Sequence, residues 1–132
     1  MTGSLAGKKV LIVEDEYLLA SVLRDVVEDL GADVLGPFPK VQPALHVFAE
    51  GRMPDIGLLD VNLGTENSFP LADELARRGI PTVLLTGYDA GTLPPQYRGF
   101  AYLRKPIDLA SVTAVLERLG AGIETGGQGS PR

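Results

Sequence analysis

The chain has 132 residues, a net charge of −5, 45% hydrophobic and 22% charged residues, and no cysteine. That is the length of one domain with a core of its own, and the composition of a globular chain. It excludes a disulfide framework, a thiolate metal site and the basic patch that grips nucleic acid, and no apolar run approaches the ~18 residues that span a bilayer. The N-terminal MTGSLAGKKV has no apolar stretch behind its lysines and does not read as a signal peptide. A cytoplasmic protein with no nucleic-acid or membrane partner is the expectation.

Residues 1–7 read as an N-terminal extension. KKVLIV, ending at Val13, reads as the first strand. After Glu16, Leu19, Val22, Leu23, Val26 and Leu30 make a helical stripe that stops before Gly31. ADVLG, around Val34, is the second strand, and a helix over 44–50 follows, its start confined by Pro39 and Pro43. DIGLLD, ending at Asp60, is a third strand; its unbroken apolar run suits a strand covered on both faces. A helix over 68–78 carries Pro70 in its first turn and Arg77 and Arg78 in its last, with Gly79 just beyond. PTVLLT, ending at Thr86, and FAYLR, before Lys105, complete five strands. Asp108 caps a last helix whose apolar face is Leu109, Val112, Leu116 and Leu119. The remainder, 120–132, cannot build a core and reads as a flexible tail.

Between the fourth and fifth strands the pattern weakens. Gly91, Pro94 and Pro95 oppose a helix there, glycine by about 1 kcal/mol and proline by about 3 kcal/mol. Leu93 and Tyr97 alone offer apolar bulk at i, i+4 spacing. The spacing predicts a short, irregular element, low in stability.

Strand and helix alternate, which predicts an α/β fold with an open parallel sheet and helices on both faces. In such sheets function gathers at the carboxyl ends of the strands. There the sequence places Glu14 and Asp15 after strand one, Asp60 at the end of strand three, Thr86 at the end of strand four, and Lys105 and Pro106 after strand five. Clustered carboxylates repel unless a cation or proton intervenes, and hard oxygen ligands suit Mg²⁺. A lysine and a hydroxyl beside them can pair with phosphoryl oxygens. An aspartate so surrounded is a candidate nucleophile for phosphoryl transfer, giving an aspartyl phosphate.

The strings VLIVEDE, DIGLLDVNLG, VLLTGY and YLRKPID, in that order and spacing, resemble the signature blocks of the response-regulator receiver family across 8–119. The resemblance implies a flavodoxin-like (βα)5 fold with strand order 2-1-3-4-5. It implies Asp60 as phosphoacceptor and Glu14 and Asp15 as the acidic pair holding Mg²⁺, Asp15 more directly. It further implies that Asp60 and the backbone carbonyl of Asn62 complete the metal site, with Thr86 as switch hydroxyl, Tyr102 as switch aromatic and Lys105 as phosphate-binding lysine. Tyr88 is a candidate tuning residue, and Pro106 follows a peptide that is often cis in this family. The segment RGIPTVLLTGYDAGTLP is also similar to a subgroup with a Phe-Ala-Thr-Gly-Tyr-like motif, which pairs with histidine kinases of the HWE and related families. Thr82, Leu84 and Leu85 depart from that motif.

The expected function is a stand-alone receiver, phosphorylated by a histidine kinase or phosphotransfer protein. It would switch contacts with a downstream protein or act as a phosphate shuttle or sink, and would not be a conventional enzyme. A pseudo-receiver that is never phosphorylated is the alternative. An aspartate-nucleophile phosphatase would carry Asp-x-Asp on its first strand, and a flavin phosphate would be repelled by Glu14, Asp15 and Glu16. His46, in the weaker helix, reads as a surface or structural residue.

Overall fold

The five apolar runs pair in parallel as one sheet in the computed structural model, which describes residues 3–87 and 90–124. They are β1 (Lys9–Val13), β2 (Asp33–Phe38), β3 (Ile56–Asp60), β4 (Thr82–Thr86) and β5 (Ala101–Arg104), in the order β2-β1-β3-β4-β5. The helices are α1 (Tyr17–Asp29), α2 (Val41–Ala49), α3 (Phe69–Arg77) and α4 (Leu109–Glu124). This is the flavodoxin-like order, and the chain reverses direction across the sheet between β1 and β3, where a crevice opens.

Because successive side chains on a strand face opposite ways, each apolar run feeds two cores. Leu11, Val13, Leu59 and Leu84 pack with Val41, Ala44, Leu71 and Leu75 of α2 and α3. Val10, Ile12, Leu58 and Leu85 pack with Leu23, Val27, Val112 and Leu116 of α1 and α4. At Gly57 any side chain would meet Leu75 Cδ1 at 2.7 Å, so glycine lets α3 lie close against β3. That contact fixes the strand that ends in Asp60.

The helix ends follow their capping signals. Beyond α3, Gly79 takes φ 73° and donates to Ala76 O, while Ile80 N–H donates to Leu75 O, closing a Schellman turn. At the start of α4, Asp108 Oδ2 accepts from Ser111 N–H (3.2 Å) and Ser111 Oγ (2.8 Å).

Three expectations need correction. α2 begins at Val41, ahead of 44, because Pro43 occupies the third helical position, where its missing N–H costs no internal bond. Residues 3–7, in the N-terminal extension, pack onto the domain: Leu5 is fully buried in the α1–α4 core, and its N–H donates to Leu30 O at 2.8 Å. α4 does not stop at 119 but runs through Gly120 to Glu124; Gly120 leaves room for Leu5, whose Cδ2 a side chain there would meet at 2.3 Å. Residues 125–132 lie outside the described residues. Finally, Leu109 is exposed, since residues 109–111, the first turn of α4, stand clear of the sheet, while Val112 and Leu116 are buried.

The segment between β4 and β5 is irregular, as expected: two 3-10 turns, Ala90–Thr92 and Pro95–Tyr97. Its anchoring exceeds what spacing suggested. Leu93 and Tyr97 are both buried, and the Tyr97 ring stacks on Phe69 with centroids 4.1 Å apart. Tyr97 OH donates to Asp73 Oδ1 at 2.8 Å. Arg98 donates to the carbonyls of Leu93 and Gly91, each at 2.9 Å, standing in for absent helical bonds.

Candidate functional site

β1 and β3 are neighbours in register, Val13 opposite Leu59, so the residues that follow and end them emerge side by side. Glu14 and Asp60 are 2% exposed, whereas Asp15 points to solvent. One carboxylate oxygen from each of Glu14, Asp15 and Asp60 lies within 4.8 Å of the others, a geometry that could hold a metal ion. The cluster opens into a crevice of about 450 Å³ lined also by Glu16, Asn62, Gly64, Gly87 and Lys105.

Lys105 supplies the cation. Its Nζ lies 2.8 Å from Asp60 Oδ2 and 3.9 Å from Glu14 Oε1. Desolvation alone would lower its pKa, but the hydrogen bond to Asp60 and the charges of Asp60, Glu14 and Glu16 outweigh that and raise it. Glu14 fares differently. Burial first, then the neighbouring Asp60, push its carboxyl from the ordinary 4.5 up to about 8. Glu14 Oε2 accepts from Glu16 N–H at 3.1 Å, while Oε1 has no hydrogen-bond partner among the described residues. A buried acceptor left unpaired costs about 1–3 kcal/mol, so this oxygen marks a place for a proton or a cation.

The loop after β3 holds the site's shape. Asp60 Oδ1 accepts from Asn62 N–H at 3.1 Å, and Asn62 Oδ1 accepts from Gly64 N–H at 3.0 Å. Asn62 and Asn67 form an antiparallel bridge, and Ser68 N–H donates to Val61 O at 3.0 Å. Gly64 turns with φ 84°, and a side chain there would stand 3.7 Å from Asp15 Oδ2. On the other side, Lys105 N–H donates to Thr86 O at 2.8 Å, and the Lys105–Pro106 peptide is cis.

The structure therefore brings together Glu14, Asp15, Asp60, Asn62 and Lys105. Thr86 is buried at the end of β4, with Arg104 its partner on β5. Tyr102 sits on β5 opposite Leu84, 42% exposed, and does not line the crevice. Tyr88 lies outside the described residues. His46 is exposed on α2. Sequence reasoning missed Gly64 and Gly87 on the crevice wall, and Glu66, whose carboxylate accepts from Val41 N–H at 3.0 Å. A signal for Glu66 existed: α2 starts on Lys-Val-Gln-Pro, with no Ser, Thr, Asp or Asn to cap it, so its cap had to come from elsewhere.

Comparison with known proteins agrees with this fold. The chain is 30% identical over 114 residues to the transcriptional regulatory protein PdtaR of Mycobacterium tuberculosis, covering 83% of this chain and 55% of that one. It is 31% identical over 113 residues to the phyllosphere-induced regulator PhyR of Methylorubrum extorquens, covering 83% and 42%. The chain thus spans about half the length of the curated relatives it matches. A CheY-like receiver domain from Methanospirillum hungatei superposes with TM-score 0.75 at 20% identity, over 90% of this chain and 98% of that one, which speaks for the fold. A signal receiver domain of a diguanylate cyclase from Desulfovibrio desulfuricans gives 0.73 at 32% identity, over 90% and 98%. No helix among the described residues is long and apolar enough to cross a membrane. The response regulator receiver domain model matches residues 10–117, the span that carries the acidic crevice and, Leu5 apart, the buried apolar residues of both cores, and the chain belongs to that family of two-component signalling modules.

Proposed function

We propose that this receiver takes a phosphoryl group on Asp60 from a phosphohistidine of a partner kinase or phosphotransfer protein, with Mg²⁺ in the acidic crevice. The observation that carries the reading is Lys105 Nζ at 2.8 Å from Asp60 Oδ2, beside the oxygen cluster of Glu14, Asp15 and Asp60. The donor set fits magnesium: the three candidate ligands are carboxylate oxygens, Asp15 is open to solvent, and Glu14 Oε1 has no hydrogen-bond partner among the described residues. Asp15, Asp60 and the Asn62 carbonyl would hold the ion, with Glu14 behind them. When bound, the ion neutralises charge on the carboxylates and on the entering phosphoryl oxygens.

The chain's own residues do the rest. Asn62 N–H and Lys105 fix the two oxygens of Asp60, so the nucleophile is oriented before the donor arrives. As the donor's N–P bond breaks, an Asp60 O–P bond forms and the histidine keeps the electron pair. Lys105 then moves its hydrogen bond from Asp60 to a phosphoryl oxygen, and Thr86 offers a hydroxyl to another. Tyr102, on the neighbouring strand β5, would follow Thr86. The donor's helix would meet Tyr17 and Leu18, 80% and 73% exposed at the start of α1, directly after the acidic residues. Membership of the HWE-associated subgroup is part of the same reading, resting on the Thr-Gly-Tyr of 86–88.

Incubation with acetyl phosphate and Mg²⁺ tests it. A base-labile mass gain that EDTA abolishes is the expected result. A protein that binds Mg²⁺ yet stays unlabelled would instead be a pseudo-receiver working by contact alone.

A further inference from the structure

The loop that follows Asp60 is closed on itself, and one of its side chains reaches a distant element. Leu63 N–H donates to Glu66 O at 2.9 Å, inside the Asn62–Asn67 bridge, and Leu63 is fully buried against the α2–α3 core. The Glu66 carboxylate leaves this loop and accepts from Val41 N–H, the first amide of α2, at 3.0 Å. That helix has no cap of its own. Lys40 at the N-cap has no side-chain acceptor to offer, and Pro43 at the third position has no N–H. A carboxylate at a helix N-terminus satisfies an orphan donor and opposes the positive end of the dipole. Glu66 is thus the cap of α2, supplied from the loop that begins at Asp60.

We infer that Glu66 is a positioning residue, tying the Asp60 loop to α2 so that the first turn of α2 reports what Asp60 holds. The route is short. Asp60 Oδ1 is bonded to Asn62 N–H, Asn62 pairs with Asn67, and Glu66 lies between them. Any ligand that takes Asp60 Oδ1 loosens the Asn62 amide and shifts the bridge, and the carboxylate carries that shift to Val41. A rigid loop transmits such a displacement because its inner bonds do not yield first. The inference rests on the proposed role of Asp60, but its geometry does not, and the two are tested separately.

Amide hydrogen exchange and amide shifts of residues 41–45 are read in the wild-type chain, in Glu66→Ala and in Glu66→Gln. Each is measured free, with Mg²⁺, and with Mg²⁺ plus beryllofluoride. Asp60→Ala, which removes the oxygen that accepts from Asn62 N–H, is added in each background as a perturbation that needs no phosphoryl chemistry. Glu66→Ala should speed exchange at Val41 about fivefold, the equivalent of one lost hydrogen bond. It should also silence the response of 41–45 to both Mg²⁺–beryllofluoride and Asp60→Ala. Glu66→Gln keeps an acceptor oxygen and should restore most of the coupling, which a loss of fold would not allow. Equal responses in wild type and Glu66→Ala overturn the inference, as does a wild-type α2 blind to Asp60→Ala. If beryllofluoride leaves the Asp60 and Asn62 amides unmoved while Asp60→Ala still reaches Val41 through Glu66, the coupling stands and the phosphoacceptor reading fails.

Discussion

Two segments border the sheet's carboxyl edge, and they are held in opposite ways. The loop after β3, residues 61–68, is fixed by backbone amides and short side-chain turns within itself, with Asn62, Asn67 and Gly64 making the bends. The segment after β4 has no regular helix; Arg98 braces it from within on two of its own carbonyls, and Tyr97 fastens it to α3 through Phe69 and Asp73. The first arrangement is braced mainly by its own backbone bonds, with Leu63 buried in the core beneath it and Glu66 reaching α2. The second depends on a few side chains, so it is the place where the molecule can loosen at small cost and where single substitutions should weigh most.

The largest effect should come from cutting that outside anchor. Tyr97→Ala removes a buried stacked ring and should cost about 3–5 kcal/mol in urea unfolding, whereas Tyr97→Phe, losing only the Asp73 bond, should cost about 1 kcal/mol. A Tyr97→Ala penalty below that of Tyr97→Phe would mean that the segment does not rely on Tyr97.

The crevice should answer to pH instead. Glu14 has a folded pKa of about 8 against an ordinary 4.5, so between those values the folded state binds the extra proton. Stability then falls as pH rises, fully present below about 4.5 and lost through 8, since the unfolded chain binds fewer protons there. In EDTA, melting temperature should drop by several degrees between pH 5.5 and 8.5; Glu14→Gln should flatten that slope and Mg²⁺ should oppose it. A metal-free slope of the opposite sign would contradict the burial argument.

Lys105→Ala leaves Asp60 and Glu14 without their cation. It should destabilise the metal-free protein by about 1–3 kcal/mol, with Mg²⁺ recovering part of the loss, as read by melting in EDTA and in Mg²⁺. Asp108 does not line the crevice, so Asp108→Ala should cost about 1 kcal/mol through the lost α4 cap, with no change in Mg²⁺ affinity.

These contrasts also mark what the sequence could disclose. The five strands and the crevice's acids and lysine are legible because apolar runs and strand-end charges are local patterns: VLIV before Glu14 and GLLD ending in Asp60 read directly, whereas the wall glycines Gly64 and Gly87 carry no such signal. The start of α2 was not legible, since its cap, Glu66, lies in another loop and Pro43 looks like a breaker. Leu5 was read as part of an extension because nothing nearby says that Gly120 leaves it a socket. Tyr97 was underrated for the same reason: i, i+4 spacing with Leu93 cannot reveal a partner such as Phe69 on α3. Contacts between elements decide such cases, and they leave no period in the chain.

In the proposed function Asp60 is the residue that takes the phosphoryl group. The direct measurement is to label the protein with acetyl phosphate and Mg²⁺, reduce the acyl phosphate with borohydride, digest, and locate the resulting homoserine by mass spectrometry. Homoserine at position 60 in the wild type, and none in Asp60→Asn, is the predicted result. Homoserine at another aspartate, or equal labelling of Asp60→Asn, would contradict it.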